Sequence, residues 1–164
     1  MKGVIFIICI ITLAACHNTY VPTQDLQSQI DSLKVQVNNA YKPGLGEFMS
    51  SIQVHHEKLW FAGLAQNWKL ATFEIHEIME SVDDIKEYAA DRPETKSIIM
   101  LQPAIDSLNL SIQQKNLSSF KQSFIMLTNT CNNCHVEVNY SFNMVKIPET
   151  PPFSNQVFKI DSGK

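Results

Sequence analysis

The chain has 164 residues, of which 45% are hydrophobic and 18% are charged. This length and composition suit one globular domain with a hydrophobic core. The formal net charge is −3 at pH 7, and Arg92 is the only arginine. Because nucleic-acid binding needs clustered positive charge, the composition argues against that function.

The N-terminal residues 1–15 predict a signal peptide. Lys2 gives a positive start, and the apolar run Val4–Ala15 is too short to span a bilayer comfortably. The run ends in Leu13-Ala14-Ala15, directly before Cys16. Small residues before a cysteine resemble the lipobox of bacterial lipoproteins, which implies cleavage before Cys16 and lipid attached to that cysteine. An ordinary secretory signal and an uncleaved anchor are the alternatives.

A lipid on Cys16 implies attachment to a membrane on the periplasmic side of the cell envelope. His17 stands where an aspartate is associated with retention in the inner membrane. The outer membrane is therefore the default expectation in a bacterium with two membranes.

Residues 16–43 predict a tether followed by a short helical stalk. Leu26, Ile30, Leu33 and Val37 recur at intervals of four, three and four residues, which is a heptad pattern. The pattern fits either a stalk or a short coiled coil that makes a homo-oligomer. It covers fewer than three heptads, and a Pro-Gly pair then interrupts the helix.

Residues 44–140 predict four helices, because apolar side chains recur every three or four positions. The first runs from about Gly46 to Gly63, and the second begins at an Asn67 N-cap. The third contains Pro103, which we expect to kink or split it, and the fourth begins at an Asn116 N-cap. Short connections between comparable helices predict an all-α fold, an antiparallel four-helix bundle without a sheet.

The predicted core consists of one stripe from each of these helices. In chain order the stripes contain Met49, Ile52, His56, Leu59, Trp60 and Gly63; Trp68, Ala71, Ile75, Ile78, Val82, Ile85 and Ala89; Ile98, Leu101, Ile105, Leu108 and Ile112; and Leu117, Phe120, Phe124, Leu127, Cys131, Cys134 and Val138. Residues 141–164 form a proline-containing tail. We expect this tail to be extended and to pack along the bundle, which would cover Phe153, Val157 and Phe158.

The strongest functional signal is the CxxCH motif Cys131-Asn132-Asn133-Cys134-His135. Two cysteines three residues apart on a helix point to nearly the same side, so both thiols can add to the two vinyl groups of one haem. The adjacent His135 can then be an axial iron ligand. The motif therefore predicts one covalently bound haem c.

The other uses of two close cysteines fit less well. A thioredoxin-like redox pair needs a βαβ setting, and a zinc site needs two more ligands at short spacing. Cys9 falls in the predicted signal peptide and Cys16 takes lipid, so no further pair is left for a disulfide. Haem attachment in bacteria takes place outside the cytoplasmic membrane, which agrees with the export signal.

The CxxCH motif near the end of the fourth predicted helix resembles the cytochrome c′ and cytochrome c-556 family. The resemblance covers residues 46–140 and implies that His135 is the proximal ligand and that the first helix lines the distal face. In low-spin members a methionine on that helix is the sixth ligand; in high-spin members the sixth position is open to small gases. The chain departs from the family at Val138 and Asn139, where members have an aromatic residue and an arginine.

Two residues of the first predicted helix are candidate sixth ligands. Met49 corresponds in kind and place to the family's methionine, and His56 lies seven residues on, about 10 Å along the same face. Each has a simpler alternative use: Met49 as a packing residue and His56 as a buried, hydrogen-bonded histidine.

Other polar residues of the first two predicted helices are expected away from the core. His55 points about 100° away from His56, so we expect it at the surface or rim. His76 lies among Glu74, Glu77 and Glu80, whose spacing does not match a di-iron site. We expect these three glutamates to form a solvated acidic face.

The haem motif predicts electron transfer with redox partner proteins of the membrane or periplasm. The alternative is binding or sensing of NO or CO at a five-coordinate haem. A third possibility is a structural role of the stalk. The sequence contains no recognisable triad, phosphate-binding loop or distal acid–base pair, so we do not expect an enzyme.

Overall fold

The computed structural model describes residues 23–38 and 43–160, and this part of the chain is helical without a strand. The elements are α1 (Thr23–Asn38), α2 (Leu45–Leu64), α3 (Trp68–Tyr88), a 3-10 helix (Pro93–Leu101), α4 (Gln102–Gln113) and α5 (Leu117–Glu137). The all-α prediction is confirmed for these residues. The predicted signal peptide, Cys16 and most of the tether lie outside them.

The chain divides into two compact units, residues 1–41 and 42–164. In the first unit, α1 carries the four heptad residues, and all of them are exposed: Leu26, Ile30, Leu33 and Val37. No helix in the described part of the chain combines the length and the apolar composition that a membrane crossing requires.

The core of the second unit lies between α2–α5 and the 3-10 helix. α2 packs most extensively on α3, and α4 on α5, while α3 also contacts α4 and α2 contacts α5. The largest fully buried apolar side chains come from the predicted stripes: Leu59, Ile75, Ile78, Ile85, Ile105, Leu108, Ile112, Phe120, Phe124 and Leu127. Helical periodicity thus located the core, although Phe48 is buried and its neighbour Met49 is only half-buried.

The connections after α2 and after α4 have the same construction. Gln66 and Lys115 adopt the left-handed conformation, with φ of 54° and 53°. The asparagine that follows each of them, Asn67 or Asn116, donates its backbone N–H to the helix that ends and accepts a backbone hydrogen bond from the helix that begins. Both predicted N-caps are therefore confirmed, and each asparagine caps two helices.

Pro103 divides the third predicted helix, as expected. The segment before it is a 3-10 helix, and the proline lies at the start of α4, where its missing N–H breaks no intrahelical hydrogen bond. Ile98 and Leu101 before the division and Ile105 after it are all buried. The stripe continues through the break because both segments face the same core.

The tail, residues 141–160, contains neither helix nor strand and packs against both ends of the helical unit. Near the end of α5, the Asn132 side chain pairs with the backbone of Val145. Near the start of α3, Asn67 Nδ2 donates to the Phe158 carbonyl at 3.0 Å. Phe158 is half-buried as expected, but the prediction that Phe153 and Val157 are covered is wrong, since they are 41% and 77% exposed.

Candidate functional site

A cleft opens between the start of α2, the end of α5 and the 3-10 helix. Its atom-free volume, which includes space open to solvent, is about 900 Å³. The walls are mainly aliphatic and include Ile52, Ile78, Ile98, Leu101 and Leu127. A large apolar cleft with few polar groups suits a large, mainly apolar ligand.

The five residues that the sequence singled out for a cofactor all line this cleft: Met49, His56, Cys131, Cys134 and His135. A second depression adjoins the cleft and shares Met49, Cys134 and His135 with it. The fold therefore brings the CxxCH motif of α5 opposite the two candidate residues of α2.

Cys131 and Cys134 are both free thiols in an environment that disfavours charge. Burial, together with the neighbouring Cys134, raises the pKa of Cys131 to about 12. Burial, and to a smaller degree Glu137, also raises the pKa of Cys134. A thiolate, the form needed for redox exchange or for zinc binding, is disfavoured here, whereas a neutral sulfur such as a thioether is not.

His135 is oriented by a backbone carbonyl. Its Nδ1 lies 2.5 Å from the carbonyl oxygen of Asn143 in the tail. Since a carbonyl can only accept, Nδ1 carries the proton and donates, and Nε2 keeps its lone pair. This arrangement is characteristic of histidines that bind metals, where a second partner fixes the tautomer and the ring orientation.

The turn that follows His135 helps to bring the tail back to it. α5 ends in a Schellman motif, in which Asn139 has φ of 64° and Tyr140 N–H donates to the His135 carbonyl at 2.6 Å. Asparagine tolerates the left-handed conformation better than most residues. The chain therefore reverses close to the motif, and Asn143 reaches the imidazole.

His56 is held in the other tautomer. Its Nε2 lies 2.8 Å from the Thr128 hydroxyl, and that hydroxyl donates its proton to the Phe124 carbonyl at 3.0 Å. The hydroxyl must therefore accept from Nε2–H, which leaves Nδ1 unprotonated, buried and without a hydrogen-bond partner among the residues that the structure describes. Burial lowers the pKa of His56 from 6.5 to about 4, so the ring is neutral at neutral pH.

The expectation of a solvated acidic face on α3 is wrong for Glu74. This side chain is fully buried and accepts a hydrogen bond from His55 Nδ1 at 2.7 Å. His55 is half-buried, and its Nε2 lies 3.7 Å from Glu77. The sequence spacing could have predicted that Glu74 is buried. Glu74 lies three residues after Ala71 and four before Ile78, on the buried stripe.

The sequence interpretation also missed the residues that surround His135. Asn132 was treated as a spacer within the motif, and nothing pointed to Asn143. At the edge of the second depression Arg92 pairs with Glu94 at 2.9 Å, and the Tyr140 hydroxyl lies 3.4 Å from the same carboxylate. The proximity of the arginine lowers the pKa of Glu94.

No known family model, curated protein or solved structure matches this chain. Within residues 23–38 and 43–160, no three side chains of the His, Cys, Asp and Glu types cluster as they would around a bare metal ion. A haem needs no such cluster, since its porphyrin supplies four of the iron ligands and the protein only one or two.

Proposed function

We propose that this protein is a c-type cytochrome that transfers electrons. One haem would be held in the cleft by thioether bonds to Cys131 and Cys134, with His135 as an axial ligand. The observation that carries the proposal is the hydrogen bond from His135 Nδ1–H to the Asn143 carbonyl, because it leaves the Nε2 lone pair available for iron in a cleft that both cysteines also line.

The residues of the cleft fit a haem. The cleft has the mainly aliphatic walls that suit a porphyrin. The environment of both cysteines favours the neutral sulfur of a thioether. When bound, haem supplies a one-electron redox centre, and the chain's part is to hold, orient and desolvate it.

Met49 is the better candidate for the sixth ligand. His56 already uses Nε2 to donate to Thr128, so ligation through that atom would break a buried hydrogen bond. Met49 makes no such bond and lies in both depressions together with His135. In this proposal His56 is a neutral residue in the wall of the distal side, and its ring is tilted against that of Phe124, with the ring centroids 4.4 Å apart.

The proposal includes an antiparallel four-helix bundle formed by α2–α5, as in the cytochrome c′ and cytochrome c-556 family. Helices joined by three-residue connections pack as antiparallel neighbours, which applies to α2–α3 and α4–α5. The His56–Thr128 contact between α2 and α5 would close the bundle.

The same proposal attaches the protein to a membrane through Cys16, with redox partner proteins of the membrane or periplasm. Cys16→Ala should move the protein from the membrane fraction to the soluble periplasmic fraction and should leave haem content unchanged. Radiolabelled fatty acid should be incorporated into wild type and not into the variant.

The full chain should be produced in a bacterium with active cytochrome maturation. We expect a coloured protein whose intact mass includes one haem that denaturation does not release. The double variant Cys131→Ala/Cys134→Ala should lack the covalent haem, whereas Asn133→Ala, inside the same motif, should keep it. A colourless wild type without added mass would refute the proposal.

Gas binding is the second candidate, since Met49 alone would have to close the sixth position. The reduced protein should show a low-spin spectrum that CO does not alter. Met49→Leu should convert it to a high-spin spectrum that CO shifts, and Met79→Leu, a half-buried methionine outside the cleft, should not. A CO-sensitive wild type favours gas binding over electron transfer.

A further inference from the structure

We infer that Asn132, a spacer residue of the CxxCH motif, is a positioning residue for His135. Asn132 Nδ2 donates to the Val145 carbonyl at 2.8 Å, and Val145 N–H donates to Asn132 Oδ1 at 2.8 Å. The side-chain amide of Asn132 therefore pairs with both the backbone N–H and the backbone C=O of Val145, as a residue of an adjacent antiparallel strand would.

This pair fixes the tail beside the imidazole. Val145 lies two residues after Asn143, whose carbonyl accepts the proton of His135 Nδ1. Segment 143–145 is thus bound to α5 twice, through the residue after Cys131 and through the residue after Cys134. The Asn143 side chain itself is exposed, so burial does not hold the segment in place.

The contact has a chemical consequence that rests on the proposed function. A carbonyl that accepts from Nδ1–H makes Nε2 a stronger donor to iron and stabilises the ferric state over the ferrous state. Asn143 and Val145 also line the cleft, so the same segment limits the access of water to it. Asn132 would then tune the haem without touching it.

The test compares Asn132→Ala with Asn133→Ala, its exposed neighbour in the same motif. In the haem-loaded protein we expect Asn132→Ala to lower the ferric-over-ferrous preference by up to tenfold, which is a rise of up to about 59 mV in the reduction potential. Asn133→Ala should leave the potential at the wild-type value.

A second measurement does not need haem. In the full chain made without cytochrome maturation, ¹⁵N NMR of the imidazole reports the His135 tautomer. We expect Nδ1–H in wild type and in Asn133→Ala, and a mixture of both tautomers in Asn132→Ala. If Asn132→Ala does not fold, Asn132→Asp serves instead, since it keeps the acceptor for Val145 N–H and replaces the donor by a carboxylate oxygen that repels the Val145 carbonyl.

These outcomes separate the two proposals. A wild-type tautomer in the Asn132 variant overturns the inference, whether or not the protein carries haem. A wild type without covalent haem overturns the proposed function and leaves the tautomer experiment to decide on Asn132. An unchanged potential in a haem-loaded Asn132→Ala also contradicts the inference.

Discussion

The two ends of the helical unit are packed in opposite ways. At the end that contains the α2–α3 and α4–α5 connections, here called the aromatic end, Phe120 lies among Trp60, Trp68 and Phe124, with ring centroids 6.0–6.2 Å from its own. At the other end, here called the cleft end, Met49 and the CxxCH motif surround a cleft of about 900 Å³.

The difference separates an end that maintains the fold from the end where we propose that a ligand binds. At the aromatic end even one added methyl group would not fit, since a Cβ on Gly63 would lie 2.1 Å from the Phe120 ring. At the cleft end, aliphatic side chains line a space that no side chain fills. Contact between apolar side chains and water is unfavourable. A ligand that covers these side chains would therefore increase the free energy of unfolding.

The largest expected effect is the loss of an aromatic anchor. Phe120→Ala should lower the free energy of unfolding by about 3–5 kcal/mol, because it removes a fully buried ring and leaves a cavity. Met49→Ala at the cleft end should cost below about 1 kcal/mol in the haem-free chain, since its side chain is half-buried beside open space. Urea unfolding measures the free energy of unfolding of both variants. Equal decreases in the two variants would contradict the proposed difference between the ends.

The junction of the two ends should be sensitive to pH through His56. Its pKa is 6.5 when unfolded and about 4 when folded, so the unfolded chain binds one more proton between these values. Stability should therefore fall as the pH decreases from 6.5 to 4, by about 3 kcal/mol from this residue. His56→Gln should lose this part of the pH dependence, and exposed His76→Gln should retain it; identical profiles for the two variants would contradict the assignment.

Gly63→Ala tests the tightness of the aromatic end. Alanine favours a helix over glycine by about 1 kcal/mol, but here the methyl group would displace the buried Phe120 ring. We expect a net loss of about 2 kcal/mol. Gly46→Ala is the matched control at the cleft end, where a Cβ meets nothing within 4 Å. Thermal unfolding should show it equal to or more stable than wild type.

The smallest expected effect concerns the helix ends. Lys115→Gly should stabilise the protein by about 0.5–1 kcal/mol, because glycine adopts φ of 53° without strain. Asn139→Gly, at the cleft end, should gain only a few tenths, since asparagine already tolerates this conformation. If Lys115→Gly instead lowers stability, the lysine side chain stabilises the protein by more than its left-handed backbone conformation destabilises it.

Local pattern in the sequence determined the helices, the core and the position of the CxxCH motif. Recurrence at three and four residues located the stripes, asparagines before apolar runs marked two N-caps, and Pro103 divided a helix where its ring requires it. These features depend on residues within about one helical turn of each other, so they can be predicted from the sequence alone.

The polar partnerships were decided only by the tertiary structure. Glu74 is buried because His55, 19 residues away, meets it, and the tautomer of His56 follows from Thr128, 72 residues away. The same holds for His135, whose partner Asn143 belongs to a tail without secondary structure. A buried polar group is stable only where a partner from another element satisfies it, and no short-range spacing specifies that partner.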